Sequence, residues 1–279
     1  MTAFQPFAAP AKLNLFLHVT GRRVDGYHLL QTVFQLIDHG DTVHIALTDD
    51  GTIHHDSPIP GVPPAQDLMV RAAQRLQAAT GCRQGCRLRI DKRLPMGGGL
   101  GGGSSDAATV LIALNHLWQT GLSRHALETL GLQLGADVPA FIFGRNAYAE
   151  GVGEALQAIT LPPAWYVVLT PPVAVPTAEI FSDPGLTRNT KPIIMSTFPS
   201  DGVRNDLETV AKRKYPIIAN YIEWLNQFSP AMMTGSGACV FAAFSTQADA
   251  ERVMTALPAT MQGFVAQGLM QHPLFDLLD

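Results

Sequence analysis

Cysteine is scarce in this chain, and hydrophobic runs long enough to cross a membrane are lacking. The 279 residues include three cysteines, Cys82, Cys86 and Cys239, and an odd, low number does not form a disulfide framework. Because no second pair of cysteine or histidine residues accompanies Cys82 and Cys86, a zinc site is disfavoured and we expect reduced thiols. No apolar run approaches the about 18 residues of a membrane-spanning helix, so we expect no membrane partner.

Charged residues are also sparse, and neither sign dominates. They make up 15% of the chain, the formal net charge is −4, and no dense run of lysine or arginine occurs. A nucleic-acid partner is therefore not expected, and small molecules are the expected partners. The first residues lack a basic region before their apolar stretch, which Lys12 interrupts, so we predict no signal peptide and a cytoplasmic protein. Either a monomer or a homodimer is compatible with these features.

Alternating apolar residues predict several strands in the first half of the chain. Residues 11–19 alternate with a period of two, which places Lys12 and Asn14 on the same face of a strand. Two further strands are predicted over residues 32–38 and 41–47.

Helical patterns occur in both halves of the chain. Asp67 is typical of a helix N-cap, and Gly81 of the end of the same helix. A later helix is expected to break near Pro216. Strands and helices mix without regular alternation, which indicates an α+β fold. We predict two domains, 1–158 and 159–279.

The most unusual segment is PMGGGLGGGSSDAAT. Six of the seven residues Gly97–Gly103 are glycine, with Leu100 as the exception. Glycines let backbone N–H groups approach a ligand closely, since no Cβ stands in the way. Ser104 and Ser105 then begin a periodic helix, whose N-terminus favours an anion. We therefore predict a phosphate site, because a flexible linker would not adjoin so regular a helix.

Other phosphate motifs fit this segment less well. A Walker A loop ends in Gly-Lys-Ser/Thr, and no lysine is present here. Gly97, Gly99 and Gly102 satisfy the dinucleotide pattern G-x-G-x-x-G, but no second strand ending in an acid follows about 20 residues later. The motifs of protein kinases are missing as well. A dinucleotide oxidoreductase remains a distant alternative.

The glycine-rich run resembles the P-x-G-x-G-L-G-S/G-S-S loop of the GHMP kinases. The resemblance implies a ribosomal-protein-like N-terminal domain and a ferredoxin-like α/β-plait C-terminal domain. It implies an ATP-dependent kinase in which a serine hydroxyl, assigned to Ser104, helps to hold Mg²⁺. The implied ATP-binding residues are Pro95, Met96, Gly97, Gly98, Gly99, Leu100, Gly101, Gly102, Gly103, Ser104 and Ser105.

Two other segments carry the catalytic candidates. From the residues alone, Asp137 in GADVPAF predicts a helix cap before Pro139, and Lys12 in PAKLNL predicts a solvated surface residue. Both segments resemble GHMP kinase motifs. The resemblance implies that Asp137 binds the substrate and accepts the proton of its hydroxyl group. It further implies that Lys12 orients Asp137 and offsets charge, and that Asn14 hydrogen-bonds the substrate.

The segments GYH and PTAEIF resemble one branch of the GHMP kinases, whose substrate carries a cytidine diphosphate. Tyr27 would stack on the base and His28 would hydrogen-bond its edge. Phe181 would close the other side, with Thr177 nearby in the same segment. Without the resemblance, Tyr27 and Phe181 would be assigned to the hydrophobic core.

The segment TGSGACVFAAF resembles a third GHMP motif, a glycine turn in the C-terminal domain. The resemblance implies that Gly235 and Gly237 let the backbone approach the phosphates of nucleotide or substrate. A plain hairpin turn is the alternative. Asp106 departs from the family pattern, where asparagine is common, and it would lie near ATP or assist Mg²⁺.

The predicted function is ATP-dependent phosphorylation of a hydroxyl group on a small molecule that contains cytidine. One alternative is a GHMP kinase for mevalonate, homoserine or a sugar. A second alternative is a non-catalytic nucleotide- or RNA-binding protein, which the lack of a basic patch disfavours.

Overall fold

The computed structural model describes residues 3–194 and 203–278. None of the helices within these two ranges is long and apolar enough to cross a membrane.

The strands of the described residues form two sheets. In chain order they are β1 (Gln5–Arg22), β2 (His28–Thr48), β3 (Ile53–His55), β4 (Gly85–Asp91), β5 (Ala147–Glu150), β6 (Ala155–Ala158), β7 (Trp165–Leu169), β8 (Ala231–Met233), β9 (Val240–Phe244) and β10 (Gly263–Gln267). The first sheet has the order β3-β4-β2-β5-β6, and β1 pairs antiparallel with β2 along most of its length. The second sheet has the order β10-β7-β9-β8.

Helices cover both sheets. In chain order they are α1 (Leu68–Thr80), α2 (Gly102–Leu117), α3 (Arg124–Leu132), α4 (Val138–Phe143), α5 (Thr177–Phe181), α6 (Glu208–Lys214), α7 (Pro216–Leu225) and α8 (Gln247–Thr255). Helix α2 is the central one, since all its residues from Ser105 to Asn115 are buried. A helix that is apolar on all sides must lie inside a protein, and α2 packs between the first sheet and helices α1, α3 and α4.

The second sheet has the topology of a ferredoxin-like fold. Its elements follow one another as strand, helices, strand, strand, helix, strand, and neighbouring strands are antiparallel. This arrangement agrees with the fold predicted for the C-terminal half. A hydrophobic cluster that includes Val167, Val210, Ile218 and Val253 joins the sheet to α6, α7 and α8.

A smaller core connects the two sheets. Leu13 of β1 packs in one cluster with Tyr166 and Val168 of β7 and with Phe241 of β9. The first sheet ends at Ala158, and the second begins only at Trp165. Buried contacts between the two sheets thus join residues on both sides of the predicted domain boundary at 158 and 159. That boundary stays a prediction.

Several predicted elements match, and two differ. Asp67 caps α1 through hydrogen bonds from the N–H groups of Met69 and Val70, Gly81 ends that helix with φ 67°, and the break at Pro216 separates α6 from α7. The two strands predicted over 32–38 and 41–47 are one strand, β2.

Pairing with β1 explains the continuous strand. A Cβ at Gly40 would lie 2.1 Å from the carbonyl oxygen of Ala9, so the glycine allows the two strands to stay in contact where the register shifts. The second difference concerns the helix expected to begin at the serine pair. It begins two residues earlier, at Gly102, inside the glycine run.

Candidate active site

One cavity of about 970 Å³ lies between the two sheets. Its walls contain every residue predicted for the site except Ser105 and Gly237. The buried hydroxyl of Ser105 donates to the carbonyl oxygen of Pro10 at 2.7 Å, and a Cβ at Gly237 would lie 2.7 Å from Sδ of Met233. Ser105 and Gly237 therefore contact the protein interior, and the structure does not bring them to the cavity.

Lys12 and Asp137 form an ion pair in the wall of this cavity. Lys12 is only 3% exposed, and its Nζ lies 3.5 Å from Oδ2 of Asp137, 2.5 Å from Oδ1 of Asn14 and 3.2 Å from the carbonyl oxygen of Gly99. The expectation of a solvated surface lysine is therefore wrong. An ammonium can be buried only with such partners, because an unpaired buried charge is costly.

Asp137 directly precedes α4, at the N-cap position, but its side chain does not cap the helix. Its side chain accepts no hydrogen bond from the helix, and it is 40% exposed. Asp137 thus occupies the predicted N-cap position but makes no capping hydrogen bond. The carboxylate is held by Lys12 on one side and faces the cavity on the other.

Asn14 contacts the protein through both ends of its amide. Oδ1 accepts from Lys12, and Nδ2 donates to the hydroxyl oxygen of Thr32 at 2.9 Å. The shared strand face predicted for Lys12 and Asn14 is confirmed by this contact. One amide hydrogen of Asn14 remains for a ligand, since the NH₂ group carries two donors.

The glycine loop needs its glycines for packing as well as for ligand approach. Gly97, Gly99 and Gly101 have φ values of 66°, 76° and 74°. A Cβ at Gly99 would lie 2.2 Å from the carbonyl oxygen of Thr234, in the turn between β8 and β9. Leu100, the one exception in the run, is buried in the core between the sheets. The loop is therefore fixed by both halves of the chain.

The start of α2 faces the cavity. The N-cap residue is Gly101, which has no side chain. The first N–H groups of the helix therefore receive no hydrogen bond from a capping side chain. Ser104 lies in this first turn and lines the cavity. The arrangement suits an anion, because open N–H groups and the helix dipole both favour negative charge.

A cluster of charges adjoins the glycine loop, and its Lys92 and Asp106 line the cavity. Nζ of Lys92 contacts Oδ2 of Asp41 at 2.5 Å and Oδ2 of Asp106 at 2.8 Å. Asp41 also accepts from the backbone N–H groups of Arg93 and Leu94. Because one ammonium serves two carboxylates, Asp106 is the less stabilised of the two. Burial raises the pKa of Asp106 to about 7, which the nearby Lys92 only partly offsets.

The aromatic candidates form a second region of the same cavity. The rings of His28 and Phe181 lie 4.9 Å apart, centroid to centroid, with a tilt of 32°. Tyr27 is 65% exposed at the rim, in the loop between β1 and β2. The hydroxyl groups of Thr177 and Ser236 lie 2.8 Å apart and join α5 to the turn after β8.

Sequence patterns assigned no role to Lys92, Thr234 and Arg188. Lys92 directly follows β4, and only its place between a strand and the glycine loop could have drawn attention to it. Thr234 accepts from the backbone N–H of Asn14 through Oγ1 at 2.9 Å. Arg188 donates to Nε2 of His28 at 3.0 Å. Contacts over such sequence separations leave no local pattern.

Metal binding by side chains alone has no support in the described ranges. They contain no group of three or more His, Cys, Asp or Glu residues that could hold a metal ion. His55 lies in β3 and contacts Asp67 at 2.9 Å. The three cysteines are free thiols, as expected.

Sequence profiles define the class of protein. The GHMP kinase N-terminal domain profile matches residues 67–145, which contain the glycine loop and Asp137. The GHMP kinase C-terminal profile matches residues 194–263. A mevalonate kinase from Methanococcus jannaschii shares the fold with a TM-score of 0.67 at 14% identity, over 96% of this chain and 99% of its own. The fold and the profiles together are those of a GHMP kinase, so the chain is an ATP-dependent kinase.

More similar relatives narrow the family. A 4-diphosphocytidyl-2-C-methyl-D-erythritol kinase from Thiobacillus denitrificans is 61% identical over 98% of this chain and 99% of its own. One from Aromatoleum aromaticum is 58% identical over 98% and 96%. A crystal structure of 4-(cytidine 5'-diphospho)-2C-methyl-D-erythritol kinase matches with a TM-score of 0.84 at 33% identity, over 95% and 99%. The chain belongs to the family of 4-diphosphocytidyl-2-C-methyl-D-erythritol kinases.

Proposed function

We propose that the chain transfers the γ-phosphoryl group of ATP to the 2-hydroxyl of 4-diphosphocytidyl-2-C-methyl-D-erythritol. The reaction is a step of the methylerythritol phosphate route to isoprenoid precursors, which does not use mevalonate. The observation that carries the proposal is the position of the Lys12–Asp137 pair. It lies in the same cavity as the glycine loop on one side and the aromatic residues around His28 on the other.

Asp137 acts as the general base in this proposal. Its carboxylate is partly exposed to the cavity and accepts the proton of the attacking hydroxyl group. Lys12 holds the carboxylate in place through the ion pair. Lys12 is itself fixed by Asn14 and Gly99, so the base has one defined position. Phosphoryl transfer depends mainly on positioning and charge neutralisation, which a rigid pair of this kind supplies.

The glycine loop and the first turn of α2 bind the phosphates of ATP. Backbone N–H groups there are preorganised, because contacts with Thr234 and Leu100 fix the loop before a ligand binds. Mg²⁺ supplies charge neutralisation when it is bound with the nucleotide. Ser104 is the residue that would contact it. A hydroxyl group in the cavity wall fits, since Mg²⁺ keeps most of its ligands from phosphates and water.

The cytosine base occupies the region of Tyr27, His28 and Phe181. Stacking on an aromatic ring contributes about 1–3 kcal/mol per base. Tyr27 and His28 come from the first half of the chain and Phe181 from the second. Thr177 and Gly235 line the same cavity, and we expect them to approach the diphosphate.

The test is ADP release by the purified protein with ATP and Mg²⁺. Four acceptors are compared: 4-diphosphocytidyl-2-C-methyl-D-erythritol, mevalonate, homoserine and galactose. The Asp137→Asn variant, purified in parallel, controls for contaminating kinases. Turnover of the cytidine compound alone supports the proposal. Turnover of another alcohol alone would support the proposed ATP site and contradict the proposed cytosine pocket. The absence of turnover with all four acceptors would contradict the whole proposal.

A further inference from the structure

Arg188 contacts two parts of the base pocket from behind. Its Nε donates to Nε2 of His28 at 3.0 Å. Its Nη2 donates to the carbonyl oxygens of Phe181 at 2.9 Å and Asp183 at 2.7 Å, and its Nη1 donates to that of Leu186 at 3.1 Å. Arg188 does not line the cavity, whereas His28 and Phe181 do. A single side chain thus holds two of the three residues that we propose to contact the base, His28 and Phe181.

The contact determines which nitrogen of His28 carries a proton. A guanidinium group can only donate hydrogen bonds, so Nε2 of His28 must accept and must be unprotonated. Partial burial lowers the pKa of His28, and the positive charges of Arg188 and Arg22 add to this effect. The ring is therefore neutral, and its one proton is on Nδ1.

Nδ1 of His28 is available to a ligand. No residue within 3–194 or 203–278 forms a hydrogen bond with it, and the ring lies in the cavity wall. A neutral ring of this tautomer presents one donor, the Nδ1–H group, and no acceptor to the cavity.

We propose that Arg188 is a positioning residue that makes the base pocket select cytosine over uracil. It does so by keeping His28 as an Nδ1–H donor. The proposal rests on the proposed function, which places a pyrimidine beside His28. Cytosine presents a lone pair at N3 and can accept from Nδ1–H. Uracil carries a hydrogen at N3, so two donors would face each other there, and such a mismatch rejects the wrong ligand.

The same side chain keeps the donor and the stacking ring in a fixed relation. Arg188 binds the carbonyl oxygen of Phe181, the last residue of α5, while it binds the ring of His28 at the start of β2. The guanidinium fork is planar and presents its donors in fixed directions, so both contacts are made in one geometry. Lysine has a single, flexible ammonium and cannot reproduce this set of contacts.

The test compares affinity for CDP and for UDP by calorimetry, with the ATP site filled by a non-hydrolysable ATP analogue. We expect the wild type to prefer CDP. Arg188→Met should reduce the ratio of the two affinities by about tenfold or more, since one buried hydrogen-bond mismatch is removed. Arg252→Met is the matched control, because Arg252 lies on the exposed face of α8 beside Asp249. An unchanged ratio in Arg188→Met, or an equal loss in Arg252→Met, would overturn the proposal.

A second measurement does not depend on the variants folding. Nitrogen-15 NMR of the wild-type protein reports the tautomer of His28, and we expect the proton on Nδ1. A proton on Nε2 would overturn the proposal. Failure of the proposed function is distinguishable, since it appears as absent turnover of the cytidine substrate while the CDP preference and the tautomer are measured without turnover.

Discussion

A buried ammonium group organises the site at the scale of single residues. Lys12 has three oxygen partners, from Asn14, Gly99 and Asp137, and its ammonium lies 5.4 Å from the ring centroid of Phe34. Removing any partner would leave part of a buried charge unsatisfied. The strand pattern predicted the shared face of Lys12 and Asn14. It did not predict their burial, because both faces of β1 are covered by parts of the chain far away in sequence.

Replacing the general base separates chemistry from binding. Asp137→Asn keeps the size of the side chain and removes the carboxylate that would accept the hydroxyl proton. We expect kcat to fall by about 10²–10⁴, the usual contribution of general-base catalysis, while ATP affinity changes little. Steady-state kinetics and nucleotide titration measure the two quantities. Asp49→Asn, at an exposed position after β2, is the control. Near-normal turnover of Asp137→Asn would contradict the assignment.

A second residue makes stability depend on pH. Burial lowers the pKa of His272 to about 4 from its ordinary 6.5. Its Nδ1 accepts from the backbone N–H of Leu274, and among the described residues Nε2 has no partner. The unfolded chain therefore binds a proton between these two values that the folded chain does not. The sign follows: stability is lost as the pH falls from about 6.5 towards 4.

The expected loss through His272 is about 2 kcal/mol in the free energy of unfolding between about pH 7 and about pH 5. His272→Leu should reduce this pH dependence by that amount, although the variant is less stable overall. Denaturant unfolding at the two pH values measures it. His125→Leu, at an exposed position, should leave the difference unchanged. Equal pH dependence in the wild type and His272→Leu would exclude this role of His272.

At the scale of elements, the glycine loop shows local sequence signals, but its conformation also depends on contacts with residues far away in the chain. The loop and the helix after it were readable from composition and periodicity. The carbonyl oxygen of Gly99 lies 3.4 Å from Oγ1 of Thr234, a residue 135 positions away in the chain. No local pattern encodes such a contact, so the reason for glycine at position 99 is visible only in the fold.

Two glycines with positive φ, one inside the glycine loop and one outside it, separate the cost of close packing from the cost of backbone conformation. Gly99→Ala adds a methyl group 2.2 Å from the carbonyl oxygen of Thr234 at a φ of 76°. Gly121→Ala adds one at a φ of 67° with no atom within 4 Å. We expect Gly121→Ala to cost about 1 kcal/mol of stability from the backbone alone. Gly99→Ala should cost more and also weaken ATP binding. Equal losses in both variants would show that packing at Gly99 contributes nothing.

The boundaries of strands were less predictable than their existence. The predicted strands 32–38 and 41–47 leave a gap at His39 and Gly40. In the fold β2 continues through it, because β1 pairs on one side and β4 or β5 on the other. Pairing between strands overrides a local preference, since backbone hydrogen bonds on both sides stabilise the extended conformation.

At the scale of the whole molecule, the cavity exists only because the two sheets pack together. The glycine loop and Asp137 lie between β4 and β5 of the first sheet, whereas Thr177, Phe181 and Gly235 belong to the second half. Sequence motifs predicted which residues would meet. The shared core through Leu13 and Tyr166 could not be predicted, because apolar alternation indicates which face is buried and not what covers it.

The shared core predicts that the molecule unfolds as one cooperative unit. Leu13 is fully buried between the sheets, and Leu13→Ala should cost about 2–5 kcal/mol through lost burial and the cavity that remains. We expect calorimetry to record a single transition that moves to lower temperature. Leu76→Ala, in the separate hydrophobic cluster around α1 and α2, should move the same transition. Two transitions, with only one of them affected by either variant, would show that the halves unfold independently.

The central claim is that the carboxylate of Asp137 directs the γ-phosphoryl group to one hydroxyl of a cytidine-containing acceptor. The most direct test is NMR of the product formed from ATP and 4-diphosphocytidyl-2-C-methyl-D-erythritol, with phosphorus-to-proton correlation to locate the new phosphate. We predict a single new phosphomonoester at the 2-hydroxyl, together with one equivalent of ADP. A phosphate on any other oxygen, or ADP formed without a phosphorylated cytidine compound, would contradict the account.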